Sequence, residues 1–351
     1  MMKTRSFAAA IIAAFLLNFA GLAAADTRDI KVKTPQANRL VTLLPASDGV
    51  AIFESKRFLN DALPKLLSAN QPMLGLIMAQ ITEMENRTGI DLRKFDQVAV
   101  GVAFKQRSAK EMDYEPVAIA SGDISAGALV AVAKLASNGA YREEKIGDRT
   151  VFVFTAKGVM HKTTVKPGGS KIADAVDTSL QGLSKEIAIT ALDKNTLAIG
   201  CLPRIRETLD GKTHVAVDVI DQLSQKETAV MSFAMRTPGG MSKILPLDND
   251  ELGMNLDSIQ FLSGSVDVSS TGTSLQMMAR TKKPEQAQGL KDTLDGLQII
   301  GKAIFGSSKR VDQQVYGRMI RNAKFDLRGS DVTLDLLVPQ ADIDVLVAGI
   351  K

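Results

Sequence analysis

Residue types that build common ligand sites are scarce in this chain of 351 residues. It contains no tryptophan and three tyrosines, so it offers few of the aromatic faces on which sugars and nucleic-acid bases stack. Its single cysteine, Cys201, excludes an internal disulfide. Because this thiol follows a predicted strand, we expect it to be buried as a small apolar side chain. Stability must then come from packing alone.

Metal and catalytic sites are equally short of suitable side chains. The two histidines, His161 and His214, stand in polar, loop-like segments, and zinc sites draw mainly on histidine and cysteine. The string at 248–253 matches a calcium loop at its first, third and sixth positions, but Ile259 occupies the twelfth, where a bidentate carboxylate is needed. We interpret this string as a solvated turn. Since no Gly-x-Ser-x-Gly elbow or phosphate-binding loop occurs either, the sequence predicts no catalytic residue, no metal site and no cofactor.

The first 25 residues have the pattern of a secretory signal peptide. Lys3 and Arg5 form a basic start, an almost wholly apolar stretch follows, and three alanines end at Ala25, directly before Asp26. We predict cleavage between Ala25 and Asp26 and an exported protein; a periplasmic location is the first interpretation and an extracellular one is the alternative. No later run approaches the 18 or so apolar residues of a membrane helix. The cleaved chain is therefore predicted to have no transmembrane segment.

Loss of this leader also changes the charge of the chain. The full sequence has 43 basic and 39 acidic residues and a formal charge of +4. Removing Lys3 and Arg5 takes two from the 43 basic residues and leaves 41 against 39. The charges alternate along the chain, whereas nucleic-acid-binding proteins concentrate Lys and Arg in one stripe. We therefore expect no nucleic-acid partner.

An internal repeat organises the remainder of the chain. Residues 89–95 align with residues 253–259, and each copy leads directly into an apolar strand, at 97–104 and at 259–268. A second strand precedes each copy. Downstream, the same order recurs twice: strand, helix, strand, turn, strand and a helix led by proline. Self-similarity of this kind is typical of a duplicated unit, and we predict a duplication.

This order predicts an α+β fold with two related halves, each an antiparallel sheet with helices packed on one face. We divide the chain into a signal peptide (1–25), an N-terminal lead-in (26–48), a first repeat (49–212), a linker (213–228) and a second repeat (229–351). A polar insertion at 157–183 interrupts the first repeat, and a polar helix at 311–322 takes its place in the second. The sequence leaves open whether the halves form separate sheets or one long curved sheet.

The longest predicted helix, at 284–305, carries an apolar spacing that is typical of a packed face. Its members are Ala287, Leu290, Leu294, Leu297 and Ile304. Packing on its own sheet is the first interpretation, and a seam for a partner helix is the alternative. Three glycines at helical spacing are expected to let this helix lie close to a sheet.

Two short motifs accompany the repeat: Leu-Pro-Ala-Ser-Asp at 44–48, before the first strand, and Gly-Ile-Asp-Leu at 89–92. With these motifs and the duplicated order of elements, the chain resembles a group of large exported bacterial proteins of unknown function that have an early Leu-Pro-x-x-Asp segment. The resemblance covers most of the cleaved chain. It implies an envelope location and a duplicated α+β fold, and it supplies no catalytic residues.

These observations predict an exported, non-enzymatic envelope protein with a binding or scaffold role. Its partner is expected to be an unknown envelope protein or an apolar ligand. The alternatives are a lipid or lipoprotein carrier and a hydrolase that works through carboxylates alone. The hydrolase would need two carboxylates about 5–10 Å apart in a cleft.

Overall fold

The computed structural model describes residues 35–88, 91–108, 112–137, 139–155, 186–223, 226–239, 250–306 and 310–348. The predicted signal peptide, its cleavage site between Ala25 and Asp26, and the insertion at 157–183 lie outside the described residues. His161 and the first two residues of the calcium-like string also lie outside them. The ranges that are described include both copies of the predicted strand and helix order.

The first repeat and its lead-in form strands β1 to β7 and helices α1 to α5. The elements are α1 (Pro35–Thr42), β1 (Gly49–Phe53), α2 (residues 55–66), α3 (Gln71–Thr88), a 3-10 helix (Leu92–Lys94), β2 (Phe95–Gln106), β3 (Met112–Gly122), α4 (Ala126–Ala136), β4 (Tyr141–Ile146), β5 (Arg149–Thr155), β6 (Glu186–Ala191), β7 (Thr196–Gly200) and α5 (Leu202–Asp210). Ser125 caps α4 by accepting a hydrogen bond from the amide of Ala128 at 3.4 Å. Gly211 ends α5 in the left-handed conformation, with φ at 63°, which glycine adopts without a Cβ clash.

The linker and the second repeat complete the chain. Their elements are α6 (Val217–Ile220), β8 (Met231–Arg236), α7 (Asp250–Asp257), β9 (Ile259–Val268), β10 (Gly272–Thr281), α8 (Pro284–Gly306), α9 (Val311–Asn322), β11 (Lys324–Arg328), β12 (Asp331–Pro339) and α10 (Gln340–Ala348). Proline at the first position of α8 fits a helix start because its missing amide proton would have no partner there. Among the described helices, none has an apolar stretch long enough to cross a membrane.

The twelve described strands form one sheet in the order β11-β12-β10-β9-β8-β1-β2-β3-β7-β6-β5-β4. Every strand pair in it is antiparallel, and β1 pairs with β8, with Ala51 opposite Phe233. Outward from this central pair, β1-β2-β3-β7-β6 on one side corresponds to β8-β9-β10-β12-β11 on the other. The predicted α+β class and antiparallel pairing are confirmed. The strands assigned to the two predicted repeats belong to one continuous sheet, and the duplication itself stays a prediction.

Each face of this sheet carries its own apolar cluster, because successive residues of a strand point to opposite faces. Ile52 belongs to a cluster with Ile119 that is covered by α1, α5 and α6. Its neighbour Phe53 packs with a second cluster, which contains Val266 and Leu336 and is covered by α2, α3 and α10. Helices therefore lie on both faces of the joined sheet, and the helices that close the two repeats, α5 and α10, pack on opposite faces.

The Leu-Pro-Ala-Ser-Asp segment connects several elements at the centre of the sheet. A carboxylate oxygen of Asp48 accepts a hydrogen bond from the amide of Phe104 at 2.9 Å. The guanidinium of Arg204, which is 3% exposed, donates to the carbonyl of Ala46 at 2.6 Å and to the hydroxyl of Ser47 at 2.8 Å. Buried polar groups of this kind are stable only when they are hydrogen-bonded. The motif therefore holds β1, β2 and α5 together and has a structural role.

The sequence and the structure differ at two places in the described part of the chain. The hairpin of β4 and β5 is not indicated by the sequence, because β4 reads Tyr-Arg-Glu-Glu-Lys-Ile and lacks the alternation of a half-buried strand; it lies at the edge of the sheet, where charged strands are common. The turn predicted from the calcium-like string is also wrong for residues 250–253, which begin α7. The helix forms because α7 packs on α8, and tertiary contacts override local propensity.

Candidate functional site

The first half of α8 is attached to the sheet by a small apolar cluster. Ala287 and Leu290, which are 0% and 2% exposed, pack with Val332 of β12, and Leu294 joins them from one turn further along. These residues recur at helical spacing, so they form one stripe that faces the sheet. The first interpretation of the apolar spacing, packing on its own sheet, is confirmed for this half of the helix.

Helix α7 holds α8 from a second side. The side-chain amide of Asn255 donates to the hydroxyl of Thr293 at 2.8 Å and to the carbonyl of Gly289 at 3.3 Å. A Cβ at Gly289 would lie 3.1 Å from Oδ1 of Asn255, so glycine allows this close approach. The contact joins two helices, and the expectation that this glycine brings α8 close to a sheet is wrong.

Beyond Leu294, α8 packs against α9 in a helical hairpin. The side-chain amide of Gln298 donates to the carbonyls of Ile320 and Ala323 at 2.8 and 2.6 Å. A Cβ at Gly301 would lie 3.0 Å from Cδ1 of Ile320, so this glycine too lies at a helix–helix contact. Towards the tip, the rings of Phe305 and Tyr316 lie 6.3 Å apart. The outer half of α8 is therefore held by α9 on one side.

The opposite side of this outer half is apolar and exposed. Leu297, Ile299, Ile300 and Ile304 are 47%, 67%, 56% and 63% exposed, and Ala303 between them is exposed as well. At about 100° per residue, these residues and Gly296 cover a continuous arc of about 160° that contains no charged side chain. We call this surface the outer apolar arc; it consists of Gly296, Leu297, Ile299, Ile300, Ala303 and Ile304.

Basic residues lie near the tip of the hairpin and along α9. Lys302 donates to the side-chain oxygen of Gln298 at 2.9 Å, and Arg310 pairs with Asp312 at 2.7 Å. The hydrogen bond from Arg310 lowers the pKa of Asp312 and raises the pKa of the guanidinium. Arg321, on the last turn of α9, is exposed. The outer apolar arc therefore has Lys302 beside it as a basic side chain without a carboxylate on it in the described contacts, while Arg310 near the tip is in an ion pair.

A shallow groove between α4 and the strands β5 and β6 is the second candidate. It has a volume of about 360 Å³ and is lined by Val130, Lys134, Arg149 and Phe152, among others. Its cations are already engaged: Lys134 pairs with Glu143 at 2.9 Å and lies 4.6 Å from the centre of the Phe152 ring, while Arg149 donates to a backbone carbonyl at 3.1 Å. Because the cations already have partners, this groove is a weaker candidate than the arc.

Three residues with nucleophilic or acid–base side chains, Cys201, His214 and Glu144, lie in the described ranges outside the arc and the groove. Burial raises the pKa of the Cys201 thiol, which is the reverse of what a reactive thiolate requires; its predicted burial is confirmed. His214 is exposed in the loop before α6. The carboxyl of Glu144 receives hydrogen bonds from Arg206 and Arg142, which lower its pKa. No cluster of histidine, cysteine and carboxylate side chains that could hold a metal ion occurs among the described residues.

The sequence analysis found part of this site and missed the rest. Leu297 and Ile304 stand in the predicted apolar spacing, but they lie on the arc and not on the sheet. Ile299 and Ile300 fall outside that spacing. Their signal is an unusually apolar stretch at 296–304, broken by Gln298 and Lys302 alone, on a helix whose other stripe already supplies the core contacts.

Comparison with known proteins gives a remote structural likeness and nothing closer. No protein family matches the chain, and no curated protein matches it. The chain is similar to crystal form III of TP0453 with a TM-score of 0.41 and 9% identity, over 89% of this chain and 98% of that one. It is similar to crystal form I of TP0453 with a TM-score of 0.39 and 8% identity, over 88% and 96%. A likeness at this level says nothing about activity.

Proposed function

We propose that this chain is an exported, non-enzymatic binding protein of the cell envelope and that it binds its partner through the outer apolar arc. The observation that carries the proposal is the exposure of Leu297, Ile299, Ile300 and Ile304 side by side on one helix. Contiguous exposed apolar patches with a polar rim mark interaction sites, whereas single exposed apolar residues need no explanation.

The distribution of exposed apolar residues supports this choice of site. Twelve large apolar side chains are exposed in the described part of the chain, and six of them lie on α8 and α9. They are Leu297, Ile299, Ile300, Ile304, Val311 and Tyr316. The first repeat exposes such side chains singly, as at Leu135 of α4. Exposed large apolar side chains are therefore concentrated on the α8–α9 surface, whereas elsewhere in the described residues they are spread over several elements.

A carboxylate hydrolase is less well supported. Its acid catalyst would need a pKa raised towards neutrality. Burial acts in that direction on Asp91, but hydrogen bonds from the side chain and the backbone amide of Arg93 outweigh it, and the pKa of Asp91 is lowered. The pKa of Glu144 is lowered as well. These carboxyls are therefore suited to ion pairs and unsuited to the acid role.

Capture from envelope extract tests the binding role. The protein is recovered from expressing cells, immobilised and exposed to the extract, and the bound proteins and lipids are identified by mass spectrometry. We expect wild type and Leu135→Ser, which removes an exposed leucine of α4, to retain the same bound species. Ile300→Ser/Ile304→Ser should lose at least nine-tenths of them. Equal retention by all three proteins would overturn the proposal.

The export prediction has its own measurement. The intact mass of the protein recovered from the exported fraction should correspond to a chain that begins at Asp26. Replacing Ala25 with a large residue, as in Ala25→Leu, should slow cleavage, because the processing site requires small side chains. A chain that retains residues 1–25 and stays in the cytoplasm would contradict the export proposal and leave the binding surface untouched.

A further inference from the structure

We infer that the partner of the outer apolar arc is the surface of an anionic lipid bilayer, on which the tip of the α8–α9 hairpin lies. The inference rests on the proposed binding function and names the partner. Its three supports are the width of the arc, the length of the outer half of α8 and the charge around the tip.

The width of the arc fits a flat apolar medium better than a partner helix. A helix that joins a coiled coil presents a narrow seam of a and d positions, and the residues beside that seam are usually charged. Here the arc spans about 160°, from Ile299 to Leu297. Ile299 and Ala303, both exposed, extend it on one side of the line formed by Leu297, Ile300 and Ile304. A single partner helix seated on that line would leave Ile299 and Ala303 in water, whereas the apolar layer of a bilayer covers the whole arc.

The length of the exposed stretch sets how the hairpin can meet a bilayer. The stretch from Asp295 to Gly306 has 12 residues and is about 18 Å long at 1.5 Å per residue, against a hydrocarbon layer of about 30 Å. It is too short to span. A helix with one apolar and one polar face lies in the interface, with its apolar face sunk about 5–10 Å below the headgroups.

Charge determines which end of the hairpin meets the lipid. Around the tip, from residue 302 to residue 312, the sequence has Lys302, Lys309 and Arg310 against Asp312. Further along α9, Arg318 is paired with Asp342 of α10 at 2.5 Å and adds no free charge. The inner half of α8, from residue 284 to residue 294, has the opposite balance, with Glu285 and Asp292 against Lys291. Anionic headgroups attract basic residues that lie within a Debye length of the surface. The tip is therefore the end that approaches an anionic membrane.

Vesicle flotation tests the inference with defined probes. The protein recovered from expressing cells is mixed with vesicles of phosphatidylcholine alone, or with three parts in ten of phosphatidylglycerol, at low salt and at 0.5 M NaCl. We expect flotation with the anionic vesicles to exceed that with neutral vesicles at least tenfold and to fall several-fold in high salt. Ile300→Ser/Ile304→Ser should lose at least nine-tenths of the flotation, and Lys302→Gln should lose two- to fivefold. Leu135→Ser should float like wild type.

A fluorescent reporter gives a second readout that a folding defect cannot imitate. Because the chain has no tryptophan, Ile300→Trp introduces a single reporter on the arc, and Leu135→Trp introduces a matched one on α4. We expect the emission of the first to shift to shorter wavelength with anionic vesicles and to be quenched by brominated lipid. The emission of the second should not change.

The other possible results of these experiments distinguish a lipid bilayer from a partner protein or a second copy of the chain as the occupant of the arc. Flotation that is absent, or equal in wild type and Ile300→Ser/Ile304→Ser, overturns the inference. Arc-dependent capture of a protein from lipid-free extract, without flotation, overturns the inference and leaves the proposed binding function standing. A dimer in light scattering that this variant converts to monomer, again without flotation, assigns the arc to a second copy and overturns the inference. Loss of both flotation and arc-dependent capture overturns both proposals.

Discussion

The two predicted repeats have strands in a corresponding order and differ in the helix that follows the third strand. In the first repeat this helix, α4, has 11 residues and lies beside β5 and β6. In the second repeat the corresponding helix, α8, has 23 residues, and its outer half packs on α9 instead of the sheet. The shorter helix α4 packs on the sheet, whereas the longer helix α8 extends beyond the sheet and carries an exposed apolar surface.

The aligned segments 89–95 and 253–259 also differ at one position in the contacts that their side chains make. Asp91 and Asn255 align with each other in the two predicted copies. Asp91 accepts hydrogen bonds from the amide and the side chain of Arg93, at 3.0 and 2.7 Å, and so caps a short local turn. Asn255 instead donates across to Thr293 of α8. At these aligned positions the carboxylate forms a local cap, whereas the amide anchors the longer helix.

The largest expected effect is a difference in stability loss between substitutions in the inner half and in the outer half of α8. Leu290→Ala should lower the free energy of unfolding by about 2–5 kcal/mol, because it leaves a cavity in a closely packed core. Ile300→Ala should change it by less than about 0.5 kcal/mol, because its side chain is already exposed. Urea denaturation of both variants measures this difference. Equal losses would show that the outer half is also part of the core, and the contrast with α4 would disappear.

A smaller effect on the free energy of unfolding is expected at the aligned positions Asp91 and Asn255. Asn255→Asp should lower the free energy of unfolding by about 1–3 kcal/mol, because the carboxylate cannot donate to Thr293 or to the carbonyl of Gly289. Asp91→Ala should cost about 0.5–2 kcal/mol at pH 7 through loss of the cap. An unchanged midpoint for Asn255→Asp would show that α7 does not anchor α8.

The pH dependence of the Asp91→Ala effect distinguishes a charged cap from simple packing. Burial opposes the charged form of Asp91, but hydrogen bonds from Arg93 dominate and its pKa is lowered in the folded protein. A lowered folded-state pKa stabilises the protein above the unfolded value of about 3.9, and this stabilisation is lost as the pH falls through the folded value. The difference between wild type and Asp91→Ala should therefore shrink below about pH 4. A difference that stays constant down to pH 2 would contradict the charged cap.

The smallest effect compares two glycines of the outer half. Gly296 faces open space, so Gly296→Ala should raise the free energy of unfolding by up to about 1 kcal/mol through its higher helix propensity. At Gly301 the added Cβ would lie 3.0 Å from Ile320, so Gly301→Ala should lose this gain or become destabilising. Thermal unfolding of the two variants measures the difference. A larger gain at Gly301 would show that α8 and α9 do not pack as closely as described.

Most boundaries of the described elements could be predicted from the sequence, because periodicity and caps are local properties. The strand at 259–268 and the helix at 311–322 coincide with β9 and α9. The candidate site was less predictable. The apolar spacing of α8 indicates one stripe, and whether Leu290 or Ile304 on that stripe is covered depends on strands and helices that are far away in the chain.

By itself, the sequence was enough to predict the α+β class, most strands and helices of the two predicted repeats and an exported chain, since each of these predictions depends on neighbouring residues. Only the tertiary structure decided that β1 pairs with β8 to join the repeats in one sheet, that α5 and α10 cover opposite faces, and that α8 exposes its outer half. These features arise from pairing and burial between distant segments. The physical reason is that apolar periodicity specifies which face of a helix or strand is to be buried, but does not specify which distant element packs against that face.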